Sequence, residues 1–223
     1  MSELEKKVEL FAGNPEQRCA CMLLLDTSGS MEGDKIRALN EGLGLFKQAM
    51  TSDPLACIRV EIGVITFDSD VKVVHDFSAP DDFAPPQLTA QGLTHMAEGM
   101  TKALDMVEAR KSFYRANNVS YYRPWVFMIT DGEPQGEAEA AIQQAARRVK
   151  DEEESHRVVF YAVGVQDANM HRLGQMVVRT PLKLAGLNFR ELFVWLSKSI
   201  GAVARSKPTD GQVPLPPAGW ATT

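Results

Sequence analysis

The sequence predicts an α/β domain: a doubly wound, mostly parallel six-stranded sheet with helices on both faces and one antiparallel edge strand. Three observations predict it. Short, continuously apolar runs recur along the chain, the pattern of strands buried on both faces. Between them lie segments whose apolar residues recur at steps of three and four, the spacing of helices with one buried face. Strand and helix patterns alternate, as they do when helical crossovers cover a parallel sheet.

Residues 19–25 (CACMLLL) are the first strand. Residues 59–67 (RVEIGVITF) and 71–77 (VKVVHDF) flank the turn-like Asp68-Ser69-Asp70 and read as a hairpin, which places one antiparallel strand at an edge. Residues 125–130 (WVFMIT) and 158–165 (VVFYAVGV) are apolar nearly throughout, and residues 182–185 are a short sixth candidate. Helical spacing runs over 35–50 through Ile36, Leu39, Leu43, Phe46 and Met50, and Asp53-Pro54 stops that helix. It recurs over 95–112 through Met96, Met100, Ala103 and Val107, and over 137–153 through Ala141, Ile142, Ala145 and Val149. A short helix around 170–176 and a last one over 189–204 complete the set.

The chain has 223 residues, 44% of them hydrophobic, enough for a sizeable core without metal or disulfide staples. Its net charge of −5 and the lack of any Lys/Arg block argue against a nucleic-acid partner. No apolar run approaches the ~20 residues that span a bilayer, and the opening MSELEKKVELF lacks the apolar core of a secretory signal. A cytoplasmic location is expected. Cys19, Cys21 and Cys57 lack zinc-site spacing and read as small thiols in a reduced compartment. Residues 206–223 (SKPTDGQVPLPPAGWATT) are expected to be extended or disordered. The division expected is an N-terminal extension over 1–15, the domain over 16–204 and a proline-rich, flexible tail over 205–223.

In such sheets ligands bind beyond the carboxyl ends of the strands, where strand order reverses. Three loops at predicted strand ends or before a helix carry oxygen donors: Asp26-Thr27-Ser28-Gly29-Ser30, Gly92-Leu93-Thr94 and Thr130-Asp131-Gly132-Glu133-Pro134. Asp26 ends its strand, so it sits at the rim of the sheet. Ser28 and Ser30 are two apart in a tight turn and their hydroxyls can converge in front of it. Two carboxylates and three hydroxyls are hard oxygen donors, suited to magnesium, manganese or calcium rather than zinc. Taken singly, each loop also reads as an ordinary cap or turn.

Asp26, Ser28, Ser30, Thr94 and Asp131 together resemble the metal-ion-dependent adhesion site (MIDAS) of von Willebrand factor type A (VWA) domains, whose pattern is D-x-S-x-S, a distant Thr and a distant Asp. The resemblance covers residues 16–204 and implies a Rossmann-like fold. LLLDTSGSM, VITFDSDV, FMITDGEP and LNFRELFVWLSKSI resemble the bacterial TerY/YegL-type branch, associated with tellurite resistance and stress. The resemblance implies a divalent cation, magnesium first by abundance, with Ser28 and Ser30 as direct ligands, Thr94 direct or through water, and Asp26 and Asp131 acting through waters. It also implies a partner protein that offers an Asp or Glu to the metal. In that branch a kinase-like and a PP2C-like phosphatase protein are often encoded nearby. One departure is visible: the threonine loop often reads G-G-T, and a positive φ at residue 93 would strain Leu93.

Two other readings remain open. A metal-dependent phosphohydrolase of the phosphoaspartate type needs D-x-D, and Ser28 stands where the second acid would be. A subunit of a larger chelatase or ATPase-type assembly usually carries a further domain. No G-x-S-x-G elbow or G-x-x-x-x-G-K-[ST] loop occurs. His95 is expected on the rim of the site, facing water, and Glu133 reads first as an exposed turn acid and second as a rim residue. Phe193 and Trp195 are expected in the core, and Trp220 either in disorder or docked on a surface.

Overall fold

The computed structural model describes residue 14, residues 16–206 and residues 214–222. Seven strands form one sheet in the order β3-β2-β1-β4-β5-β6-β7. They are β1 (Cys19–Asp26), β2 (Val60–Phe67), β3 (Val71–Ser78), β4 (Trp125–Thr130), β5 (Val159–Val165), β6 (Leu182–Leu184) and β7 (Ala221–Thr222). The helices are α1 (Asp34–Thr51), α2 (Pro54–Arg59), α3 (Met96–Ala116), α4 (Glu139–Glu154), α5 (Met170–Met176) and α6 (Phe189–Arg205). β1, β2, β4, β5 and β6 are parallel, and β3 is the antiparallel edge strand expected from the hairpin. β7 adds a two-residue antiparallel strand at the other edge.

Alternation along β1 explains its unbroken apolar run. Cys19, Cys21, Leu23 and Leu25 enter one core with Phe46, Phe127, Phe193 and Leu196. Ala20, Met22 and Leu24 enter the other with Met100, Val107, Met128 and Val149. α1 and α6 therefore cover one face, and α3 and α4 the other. Each fully buried Leu or Met contributes about 1.5–3 kcal/mol, so β1 alone is a major source of stability. The chain leaves β1 toward β2 and β3, then returns to β4 on the opposite side. Strand order thus reverses at β1, and Asp26 lies at that point.

Several boundaries differ from expectation for local reasons. Asp53 ends α1, but its carboxylate accepts from the Leu55 and Ala56 amides and starts α2, with Pro54 in the first turn. Cys57 lies on α2. Glu137 stays outside α4 because its carboxylate caps α3, accepting from the Ala97 and Glu98 amides at 2.9 and 2.8 Å. The feared strain at Leu93 is absent: Gly92 takes the positive φ, +72°, and Leu93 does not.

The tail needs a larger correction. Residues 214–222 are not free. Trp220 is 2% exposed and its ring sits 5.5 Å from that of Trp195. Trp195 Nε1 donates to the Pro216 carbonyl at 2.7 Å, and the Ala185 amide donates to the Trp220 carbonyl at 2.9 Å. Composition alone misses this because one buried tryptophan removes enough apolar area to offset the ordering of a proline-stiffened segment. Residues 207–213 of that tail, and the N-terminal extension apart from residue 14, lie outside the described residues.

α1 meets α6 at Gly42, where an added Cβ would lie 2.5 Å from the Phe193 ring, itself fully buried. Gly42→Val is expected to lower stability by about 1–3 kcal/mol, read from denaturant unfolding, because the added side chain overlaps a buried ring that must shift to admit it.

Candidate metal centre

Five side chains from three loops meet at the carboxyl end of β1 and β4. Asp26 is the last residue of β1 and is fully buried. The parallel register that pairs Leu25 with Ile129 sets Asp26 beside Thr130. Asp26 Oδ1 accepts from the Ser28 amide at 2.8 Å, and Oδ2 accepts from the Thr130 hydroxyl. The Ser28 and Ser30 hydroxyls lie 3.0 Å apart on a short 3-10 turn over Gly29–Met31. Ser30 Oγ donates to Asp131 Oδ1 at 2.6 Å, across 101 residues of sequence. A Cβ built on Gly132 would lie 3.7 Å from both Ser30 Oγ and Thr94 Oγ1, so the three loops converge on one small volume.

The loops are held by backbone hydrogen bonds. The Gly29 amide donates to the Gly92 carbonyl at 3.0 Å, and the Gln91 amide to the Thr27 carbonyl at 2.8 Å. The Gln135 amide donates to the Thr94 carbonyl at 2.9 Å, tying the threonine loop to the Asp131 loop. Asp68, also buried, accepts from Thr27 Oγ1 at 3.1 Å, and its carbonyl accepts from the His95 amide at 2.9 Å.

Burial pushes the Asp26 carboxyl up to about 6, and Asp131 nearby pushes in the same direction, while the hydrogen bonds from Ser28 and Thr130 pull against it. Among the other buried acids, Asp68 likewise has only hydrogen bonds, from Thr27 Oγ1 and the Asp70 amide, and the rest are ion-paired. Glu61 is met by Arg110 Nε at 2.7 Å, and Glu153 by Arg179. Asp131 is met by the Lys35 ammonium. No basic side chain among the described residues pairs with Asp26. A buried carboxylate with hydrogen bonds but no cation, facing an all-oxygen hydroxyl cluster, fits a divalent ion. Among the described residues, no group of three or more His, Cys, Asp or Glu side chains forms a metal site. A centre at Asp26 would therefore rely on hydroxyls for much of its ligand field.

Thr130 and Lys35 escaped sequence reasoning. Thr130 was legible in retrospect, since it precedes Asp131 at the end of a parallel strand beside β1. Of the two rim candidates, His95 departs from a plain solvent-facing reading, whereas Glu133 is exposed. His95 is half-buried, with Nε2 3.0 Å from where a Gly136 Cβ would stand. Glu133 accepts from the Asn169 side chain at 2.6 Å, bridging to α5.

The comparisons with known proteins agree with this fold. A structure described as von Willebrand factor type A from Catenulispora acidiphila superimposes with a TM-score of 0.66 at 16% identity, over 83% of this chain and 43% of that one. The pilus adhesin SpaC from Lactobacillus rhamnosus GG, in an open conformation, gives 0.66 at 15% identity over 84% and 31%. Proximal thread matrix protein 1 from the mussel byssus, with a zinc-occupied MIDAS motif, gives 0.58 at 17% identity over 84% and 49%. The chain thus spans less than half the length of each of these proteins. No curated protein matches it.

In the metal-free protein the folded Asp26 holds its proton to about 6, while the unfolded one releases it near 3.8. Its contribution to stability is therefore greatest at low pH and falls as pH rises from about 4 to about 6. Relative to Asp26→Asn, the wild type is expected to lose stability across that interval, measured by urea midpoints on chelator-treated protein.

The von Willebrand factor type A domain family model matches residues 21–189, and the chain belongs to that family.

Proposed function

We propose that this chain is a non-enzymatic recognition module in which Asp26, Ser28, Ser30, Thr94 and Asp131 hold a divalent cation, and a partner protein supplies an Asp or Glu as a further ligand. The observation that carries the reading is the convergence itself. The Ser28–Ser30–Asp131 hydrogen-bonded chain, with Thr94 beside it, faces a buried Asp26 that lacks a cationic partner. The zinc-occupied MIDAS of the mussel protein supports a cation in the matching place. Neutral hydroxyls neutralise little of a divalent charge, so the bound ion would still attract an external carboxylate. Magnesium suits this donor set, as do manganese and calcium.

Catalysis of the phosphoaspartate type is disfavoured by the same geometry. Asp26 commits one oxygen to the Ser28 amide and the other to Thr130, and Ser28 replaces the acid such chemistry needs. No helix among the described residues is long and apolar enough to cross a membrane. We place the module in a bacterial, cytoplasmic tellurite-resistance-like stress or phospho-signalling system. Its partners there would be kinase-like or PP2C-like proteins; this rests on the motif resemblance to the TerY/YegL branch alone.

Calorimetric titration with Mg2+ or Mn2+ tests the metal. Ser30→Ala and Asp131→Ala are each expected to weaken binding by about 10–100-fold or more. Unchanged affinity in both would refute the assignment. Partner capture that survives both EDTA and Asp26→Ala would refute the role of the metal in recognition.

A further inference from the structure

Lys35 breaks a local rule. It stands in the first turn of α1, directly after Asp34, where the partial positive charge of the helix N-terminus disfavours a cation. A side chain with four rotatable bonds has easy access to water there. It turns inward instead, leaving 17% of its side chain exposed. Its ammonium is ion-paired with Asp131 Oδ2 and donates to the Ser30 carbonyl at 3.1 Å. The Asp131 side chain is itself only 1% exposed. The opposite oxygen of the same carboxylate accepts from Ser30 Oγ. One carboxylate therefore has the hydroxyl cluster on one side and a full positive charge on the other.

This arrangement has an electrostatic consequence for the proposed metal. A divalent ion among Ser28, Ser30 and Thr94 and the Lys35 ammonium would share Asp131 at a separation of a few ångströms. The carboxylate between them is almost wholly buried, so screening is weak and their repulsion strong. An ammonium is also the cation that best replaces a metal beside a carboxylate when no metal is present, since it is compact and carries three donors.

We propose that Lys35 is a tethered competitor for the divalent cation. Its ammonium neutralises Asp131 and braces the Ser30 loop in the metal-free protein, and it lowers the affinity of the site for the ion that opposes it. The inference rests on the metal reading above. It goes beyond it by assigning to a residue outside the five the role of setting the metal concentration at which the site fills. A purely structural ion pair would behave differently. Its removal would loosen Asp131 and leave metal affinity unchanged or lower, whereas removal of a competitor raises it.

The test uses Mn2+ as the probe, titrated calorimetrically into the full chain as wild type, Lys35→Met, Lys35→Gln and Lys35→Arg. Urea unfolding of each metal-free protein is measured alongside. Both neutral variants are expected to bind Mn2+ about tenfold tighter or more, while their metal-free unfolding midpoints fall below that of the wild type. Lys35→Arg keeps the charge and is expected to stay within about threefold of wild-type affinity. Wild-type or weaker Mn2+ binding in the neutral variants overturns the competitor role and leaves the metal site standing. Binding by neither the wild type nor the neutral variants overturns both. Binding by the neutral variants alone supports the competitor role in its strongest form.

Discussion

β1 is buried on both faces and hydrogen-bonded on both edges, and that double burial constrains everything at its end. Seven consecutive residues alternate between two cores, while β2 and β4 take the two edges. A strand so enclosed cannot slip by one residue without exchanging its faces. The position of Asp26 is therefore set by packing some distance away from it. Its carboxylate meets the Thr130 hydroxyl because two parallel strands end level, and meets the Ser28 amide because the chain turns at once.

The site at that end carries more negative charge than its burial would favour. The fold handles its two aspartates differently. Asp131 has a lysine, whereas Asp26 has only dipoles. Hydrogen bonds from a backbone amide and a hydroxyl reduce the cost of a buried carboxylate without cancelling it. The remaining imbalance is what makes this corner of the molecule receptive to an added positive charge. Glu61 and Glu153, by contrast, are matched by guanidinium groups.

The parts legible in the sequence were those governed by short-range pattern. Runs such as MLLL and VFMI announce strands because both faces are apolar, and the fold class followed from their alternation with helices. The five candidate ligands could be picked out because oxygen donors concentrate in loops that end strands, and the fold brings those loops together. What escaped depended on direction or on a single contact. Lys35 has the composition of an exposed helix start, and only its inward rotamer reveals the pairing with Asp131. Glu137 looked like the first turn of its own helix and instead caps another. Gly92, one residue before the expected position, takes the conformation that would have strained Leu93. Proline content masked the anchoring of Trp220, since composition counts residues and not the area one of them covers.

That anchoring carries a practical corollary. β6 is only three residues long, and β7 covers its outer edge from 37 residues further along the chain. A truncation designed on sequence homology would stop near the last helix and discard this cover. It would leave unsatisfied backbone groups on β6 and a bare indole at Trp195, two features that invite strand-to-strand self-association. Any shortened version prepared for crystallography or binding work is better ended beyond the short closing strand than before it.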